Sequence, residues 1–252
     1  MISRVVLCDA DNTLWDTDSV FAEAQDILLN RVEAIVGVKT SARWRVEFVR
    51  QYDQALAEKH HLHFRYPPIM LVFALTDGLL GTSPDAAAAA AMIGNRGTRI
   101  ISIQHAEKLV AEYLAALDQT PILLPSVKEG LLCAIAAKLN IYVLTEGRIE
   151  RQREIIRWHG IESAFDGVLE ITKTTSQFQR LRERFASASV TVIGDQPDRD
   201  ISPALSAGCS AVLVPSRFRP RWHTSSSWKG ATYVASDFSD AITWLTEIAE
   251  PI

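Results

Sequence analysis

The chain has 252 residues, 48% of them hydrophobic and 22% charged, with 12 glycines, 10 prolines and a formal net charge of -4. That balance excludes intrinsic disorder, collagen-like repeats and low-complexity sequence, and its slight acidity argues against a nucleic-acid partner. The longest apolar runs, residues 69–75 and 86–93, fall far short of the roughly 20 residues a membrane helix needs, and no apolar leader precedes Val5, so the chain reads as cytoplasmic with no membrane partner.

In chain order, residues 5–8 form a short, continuously apolar run that predicts a strand buried on both faces. From Thr17 to Thr120 no buried strand is evident. Helical patterns cover 20–36, 42–59, 68–80, 84–93 and 104–117 instead. Ser41 and Ser83-Pro84 suit helix starts, and Gly37 and Gly81 suit stops. The run Ile69-Met70-Leu71-Val72-Phe73 reads as the core of this helical block. Beyond it, strands and helices alternate. Helices are predicted at 127–139, 149–159, 177–185 and 201–207, and strands at 141–144, 168–171, 190–193 and 211–214. The expectation is an α/β, doubly wound parallel sheet built from residues 1–16 and 121–252, with an all-helical domain, residues 17–120, inserted after the first strand.

Active sites of such sheets lie at the carboxyl ends of the strands. There the first strand offers Asp9, Asp11 and Thr13, the second Thr145 and Glu146, the third Lys173, and the fourth Gly194-Asp195 with Asp198 and Asp200 beyond. Gathered carboxylates do not all stay ionised without a cation, and oxygen ligands select a hard ion such as Mg2+. A lysine and a hydroxyl beside that ion suit a phosphoryl group.

These motifs resemble the haloacid dehalogenase superfamily, chiefly its phosphatases, over the first sixteen or so residues and about 122–222. Asp9-Ala10-Asp11-Asn12-Thr13 matches its first motif, Thr145 its second, Lys173 its third, and Gly194, Asp195 and Asp200 its fourth. Leu124-Pro125-Ser126-Val127 resembles the return from an inserted helical cap. The resemblance implies a Rossmann-like core. It implies Asp9 as nucleophile and Asp11 as general acid and base. Mg2+ would be held by Asp9, Asp195 and the Asp11 backbone carbonyl, and phosphate by Thr145 and Lys173. Asp200, with Asp198 as rival, would orient Lys173 or a water. The Asn12 backbone amide would face phosphate.

Glu146 departs from the pattern, where asparagine is common. It is expected to point away or to pair with Arg148 or Lys173. The substrate would be a small phosphorylated metabolite. Metal-free haloacid dehalogenation and a non-catalytic phosphate-binding or signalling domain are the alternatives.

Weaker signals are read conservatively. Cys8, Cys133 and Cys209 suggest no disulfide framework. His60, His61 and His63 read as exposed loop residues. The Arg217–Arg221 segment reads as a solvated loop with one buried aromatic, a contact to an anionic substrate or partner subunit being its other use. Trp44, Arg65 and Tyr66 lie where a cap would select substrate.

Overall fold

The computed structural model describes residues 3–94, 100–223 and 230–247, so the expected α/β segments extend at both ends beyond the described residues. Strand β1 (Ser3–Asp9) lies inside a six-stranded, wholly parallel sheet. Its companions are β2 (Asn140–Thr145), β3 (Gly167–Glu170), β4 (Ala188–Gly194), β5 (Ser210–Leu213) and β6 (Tyr233–Val234). The order is β3-β2-β1-β4-β5-β6. The chain therefore steps to one side of β1 and then to the other, which creates the switch point where such sheets bind ligands.

Both sheet faces are covered, and that is why the strands read as continuously apolar. Helices α6 (Val127–Ala136), α7 (Ile149–Trp158) and α10 (Phe238–Glu247) supply one layer. Val6, Cys8, Ile141, Val143, Ile193 and Val212 pack into that layer with Leu131, Ile155, Phe238 and Ile242. Helices α8 (Thr175–Arg184) and α9 (Ser202–Ser206) supply the other. Val5, Leu7, Leu144, Val190, Val192 and Leu213 point there, against Phe178, Leu181 and Ala204. Alternate residues of β1 thus enter opposite cores, as strand geometry requires.

The described chain falls into two compact units. One comprises the segments before Asp18, from Thr120 to Arg219 and from His223 onward; the other comprises Asp18–Gln119 together with Pro220–Trp222. The second is helical. It contains α1 (Thr17–Val36), which begins on the last residue of the first unit, α2 (Arg45–Lys59), α3 (Ile69–Leu79), α4 (Pro84–Met92) and α5 (Ile103–Leu117). Leu28, Leu29, Val49, Leu56, Leu71, Leu75 and Ala88 form its core. The helix predicted over 42–59 is broken by a 3-10 turn at Ala42–Trp44. Gly37 follows α1 at φ +79°, a left-handed position glycine adopts without steric cost.

Two expectations are corrected, at His60 and at the segment 220–222. His60 is buried, with its ring centroid 4.4 Å from that of His61 and Nδ1 accepting from the Leu62 N–H. Arg221 is ion-paired, with Glu58 and, at 2.9 Å, Asp85, and its backbone N–H donates to Gln54 at 2.6 Å. Trp222 packs with its ring centroid 5.2 Å from Phe64. The segment 220–222 is therefore docked on the helical unit rather than solvated. Tyr66 is buried, its hydroxyl donating to Asp53 inside that unit. The three cysteines are free thiols. No helix among the described residues is long and apolar enough to cross a membrane.

Candidate active site

Strand register puts the carboxyl ends of the central strands level. Asp9 pairs across from Leu144, one residue before Thr145, and Cys8 from Ile193, one before Gly194. Immediately after β1 the chain makes one tight turn. The Leu14 N–H donates to the Ala10 carbonyl at 2.8 Å, and the Asn12 N–H to the Trp15 carbonyl at 2.8 Å. Asn12 sits at φ +60°, a conformation asparagine tolerates better than most residues. Its amide is committed to Trp15, so the expectation that it faces phosphate does not hold in this conformation. Beyond the turn, the Asp16 N–H donates to Ile122 at 2.8 Å and the Leu124 N–H to Leu14 at 3.0 Å. The two crossings into and out of the insertion are thus hydrogen-bonded to each other.

Asp9, Asp195 and Asp200 are all buried, and each offers a carboxylate oxygen within 4.8 Å of the others. Lys173 reaches into this group. Its Nζ pairs with Asp9 Oδ1 and lies 2.6 Å from Asp200 Oδ1. The other Asp200 oxygen accepts the Gln196 N–H at 3.1 Å. Burial pushes the Asp9 carboxyl up, to about 7, with Lys173 opposing and Asp200 and Asp11 adding to the rise. For Lys173, burial alone favours the neutral amine, but Asp200 and Asp9 outweigh it and hold the ammonium charged. Burial also raises the Cys8 thiol, leaving it an inert neighbour.

Asp9, Asp195 and Asp200 form a buried, all-oxygen donor set of the kind that takes a hard divalent cation. The residues present therefore fit Mg2+. Gly194 makes the packing feasible. A Cβ there would lie 2.3 Å from Asp200 Cγ, so only glycine lets the end of β4 meet that carboxylate.

The remaining sequence-predicted residues are distributed around this group. Asp11 Oδ1 accepts from Thr17 Oγ1 at 2.8 Å and from Trp15 Nε1 at 3.2 Å, and its carboxylate is outside the three-acid group. Thr13 Oγ1 donates to Asp9 at 3.4 Å. Thr145 Oγ1 is buried and accepts the Gly147 N–H at 2.9 Å. Asp198 pairs with His223 at 2.7 Å, whereas Asp200 touches Lys173. Glu146, expected to point away or to pair with Arg148 or Lys173, meets the main chain of Lys173 and the side chain of Arg199. Oε1 accepts the Lys173 backbone N–H at 2.9 Å, and Oε2 pairs with Arg199.

Sequence reasoning passed over Arg199, which lies between the two aspartates it weighed. The signal that could have found it was the uncompensated charge of Glu146. Arg199 belongs to a wide π-type turn, Pro197–Ile201, in which the Ile201 N–H reaches back five residues to Gln196.

Residues 3–208 match the haloacid dehalogenase-like hydrolase family. No curated protein matches the sequence. Solved structures with the same fold include a predicted phosphoglycolate phosphatase from Haemophilus somnus, 16% identical, with TM-score 0.64 over 97% of this chain and 99% of that one. A haloacid dehalogenase-type hydrolase from Bacillus subtilis bound to magnesium is also 16% identical, with TM-score 0.62 over 97% and 99%. A 2-haloacid dehalogenase from Pseudomonas syringae is 20% identical, with TM-score 0.51 over 98% and 100%. At these identities the structures share a fold and leave the reaction open. The family match spans most of the chain, the four motifs converge at the switch point of the parallel sheet, and on that ground the chain belongs to the haloacid dehalogenase-like hydrolases.

Proposed function

We propose that the protein is a Mg2+-dependent phosphatase that hydrolyses a small phosphorylated metabolite through an aspartyl-phosphate on Asp9. The observation that carries this reading is the buried group Asp9, Asp195 and Asp200 around Lys173. A metal-free displacement of halide would leave Asp195 without a task and would set extra negative charge against a haloacid carboxylate. The geometry suits phosphoryl transfer instead.

Asp9 and Asp195 would hold the ion, with the Asp11 backbone carbonyl as a further ligand. Bound Mg2+ supplies neutralisation of charge on the transferring phosphoryl group. Asp9 attacks phosphorus in line with the leaving oxygen and forms an acyl phosphate, splitting one displacement into two. Asp11 takes two hydrogen bonds on Oδ1, which leaves Oδ2 to carry the proton delivered to the leaving alkoxide. The resulting Asp11 carboxylate then takes a proton from the water that attacks the acyl phosphate. Thr145 and Lys173 hold phosphoryl oxygens, and Asp200 steadies Lys173. The helical unit, with its boundaries near Thr17 and Thr120, would act as the cap that excludes water and selects substrate.

The test is a panel of phosphate esters assayed with Mg2+ and with EDTA. Hydrolysis that needs Mg2+, and that Asp9→Asn abolishes together with trapping of labelled phosphate on the protein, is expected. Chloride release from 2-chloropropionate that persists in EDTA, with no ester hydrolysed, would overturn the assignment in favour of a dehalogenase.

A further inference from the structure

Position 146 carries a carboxylate one residue beyond Thr145, beside the place where the proposed reaction puts a phosphoryl group. Left uncompensated, that charge would repel the substrate. Arg199 compensates it through Glu146 Oε2, while Oε1 holds the Lys173 backbone N–H at 2.9 Å. The Glu146 side chain is only 12% exposed and that of Arg199 is 32% exposed, so water screens the pair incompletely.

The two residues join three loops. Glu146 follows β2, Lys173 lies between β3 and α8, and Arg199 lies in the turn after β4, next to Asp200. The Lys173 loop is also held from the same strand end, where the Ile171 N–H donates to the Thr145 carbonyl at 2.9 Å. Thr145, Lys173 and Asp200 thus each lie within one residue of a member of this brace or are bonded to it.

We propose that Glu146 and Arg199 are a charge-balanced pair of positioning residues: Glu146 fixes the main chain of Lys173, and Arg199 cancels the charge of Glu146 so that the site can accept a phosphoryl group. This rests on the phosphatase reading. It explains how this chain accommodates glutamate at position 146. It also makes a sign-specific prediction, because the two members act on an anion in opposite directions.

The experiment measures inorganic phosphate binding by calorimetry in the presence of Mg2+, together with kcat and KM for the best ester. Arg199→Ala exposes the Glu146 charge and should weaken phosphate binding roughly tenfold, mostly in KM rather than kcat. Glu146→Gln keeps an acceptor for the Lys173 N–H and unmasks Arg199, so phosphate should bind as well as or more tightly than in the parent. The double variant should return to within about threefold of the parent. A purely structural brace would make both single variants weaker and the double no better than Arg199→Ala. That result, or an Arg199→Ala protein that binds phosphate like the parent, overturns the proposal. A parent protein that binds no phosphate and hydrolyses no ester overturns the phosphatase reading itself, and this pair with it.

Discussion

Replacing Lys173 with methionine keeps the length and most of the volume of the side chain and removes the ammonium that touches Asp9 and Asp200. What remains is a set of three buried carboxylates with oxygens within 4.8 Å of one another. At that separation, and at the effective dielectric of about 20 that suits protein sites, each ionised pair repels by about 3 kcal/mol. The group cannot keep all its charges, so proton uptake relieves part of the strain. Breaking a buried ion pair by removing one partner typically costs about 3–5 kcal/mol. For a chain of this size, about 2–4 °C is lost per kcal/mol, giving a fall in Tm of roughly 6–20 °C. The decisive comparison is between thermal melts in EDTA and in excess Mg2+. A bound divalent cation replaces the lost positive charge, so the fall should be markedly smaller with Mg2+. If the variant in EDTA melted within about 2 °C of the parent, or if Mg2+ left the difference unchanged, the argument that these carboxylates demand a cation would fail.

Three further outcomes follow from the same geometry. Asp11→Asn should slow hydrolysis of alkyl phosphates by about 10²–10⁴-fold and that of activated aryl phosphates by less in the first step, read from kcat across a series of leaving groups. Gly194→Ala should set a methyl group against Asp200 Cγ, which an ideal Cβ would approach to 2.3 Å, and destabilise the protein by about 3 kcal/mol in urea titrations. In the helical unit, burial raises Asp53 to about 6, while hydrogen bonds from Tyr66 and Gln25 and the charge of Arg50 pull it down. The unfolded chain therefore releases this proton first, so the stability Asp53 contributes is present at pH 4 and is lost as pH rises toward 6. Asp53→Asn should flatten that decline and raise stability at pH 7 by about 2 kcal/mol. Gln25 can turn its amide so that its buried, unpartnered Oε1 accepts from the new side chain. A steeper decline in the variant than in the parent would contradict this account.

Five of the six strands were legible because burial in the sheet leaves short, largely apolar runs, as in Val5–Cys8 between Arg4 and Asp9. Strand β6 was not, since two residues, Tyr233–Val234, carry no period. Helix α10 did carry one, with Phe238, Ala241, Ile242 and Leu245 buried at helical spacing, and sequence reasoning simply stopped short of it. In the candidate site, the convergence of Asp9, Asp195 and Lys173 was legible because each ends or follows a strand, and parallel pairing fixes where strand ends go. The choice between Asp198 and Asp200 depended on the π-type turn, whose extra residue per turn decides which carboxylate meets Lys173. Pairing of Glu146 with Arg199 joins positions 53 residues apart, and no local pattern encodes it. The docking of Arg221 and Trp222 on the helical unit was hidden for the same reason. Charged and aromatic residues in a loop declare what they can bind, and the partner, here Glu58, Asp85 and Phe64, lies far back in the chain.

The mutual pairing of the two crossings has a consequence for how the chain folds. Val5 must find Asn140 in register before the centre of the sheet exists, so the pairing of β1 with β2 closes a very long loop. Closure entropy grows only logarithmically with loop length, but it must be met before any long-range contact stabilises the chain. If the helical insertion condenses first, drawing Leu14 and Asp16 toward Ile122 and Leu124, the free loop between β1 and β2 shrinks to a few tens of residues. The saving is about 1 kcal/mol of closure entropy, or several-fold in rate. In that order of events the insertion would act as a folding clamp that brings an amino-terminal strand to partners made more than a hundred residues later, before any substrate is involved.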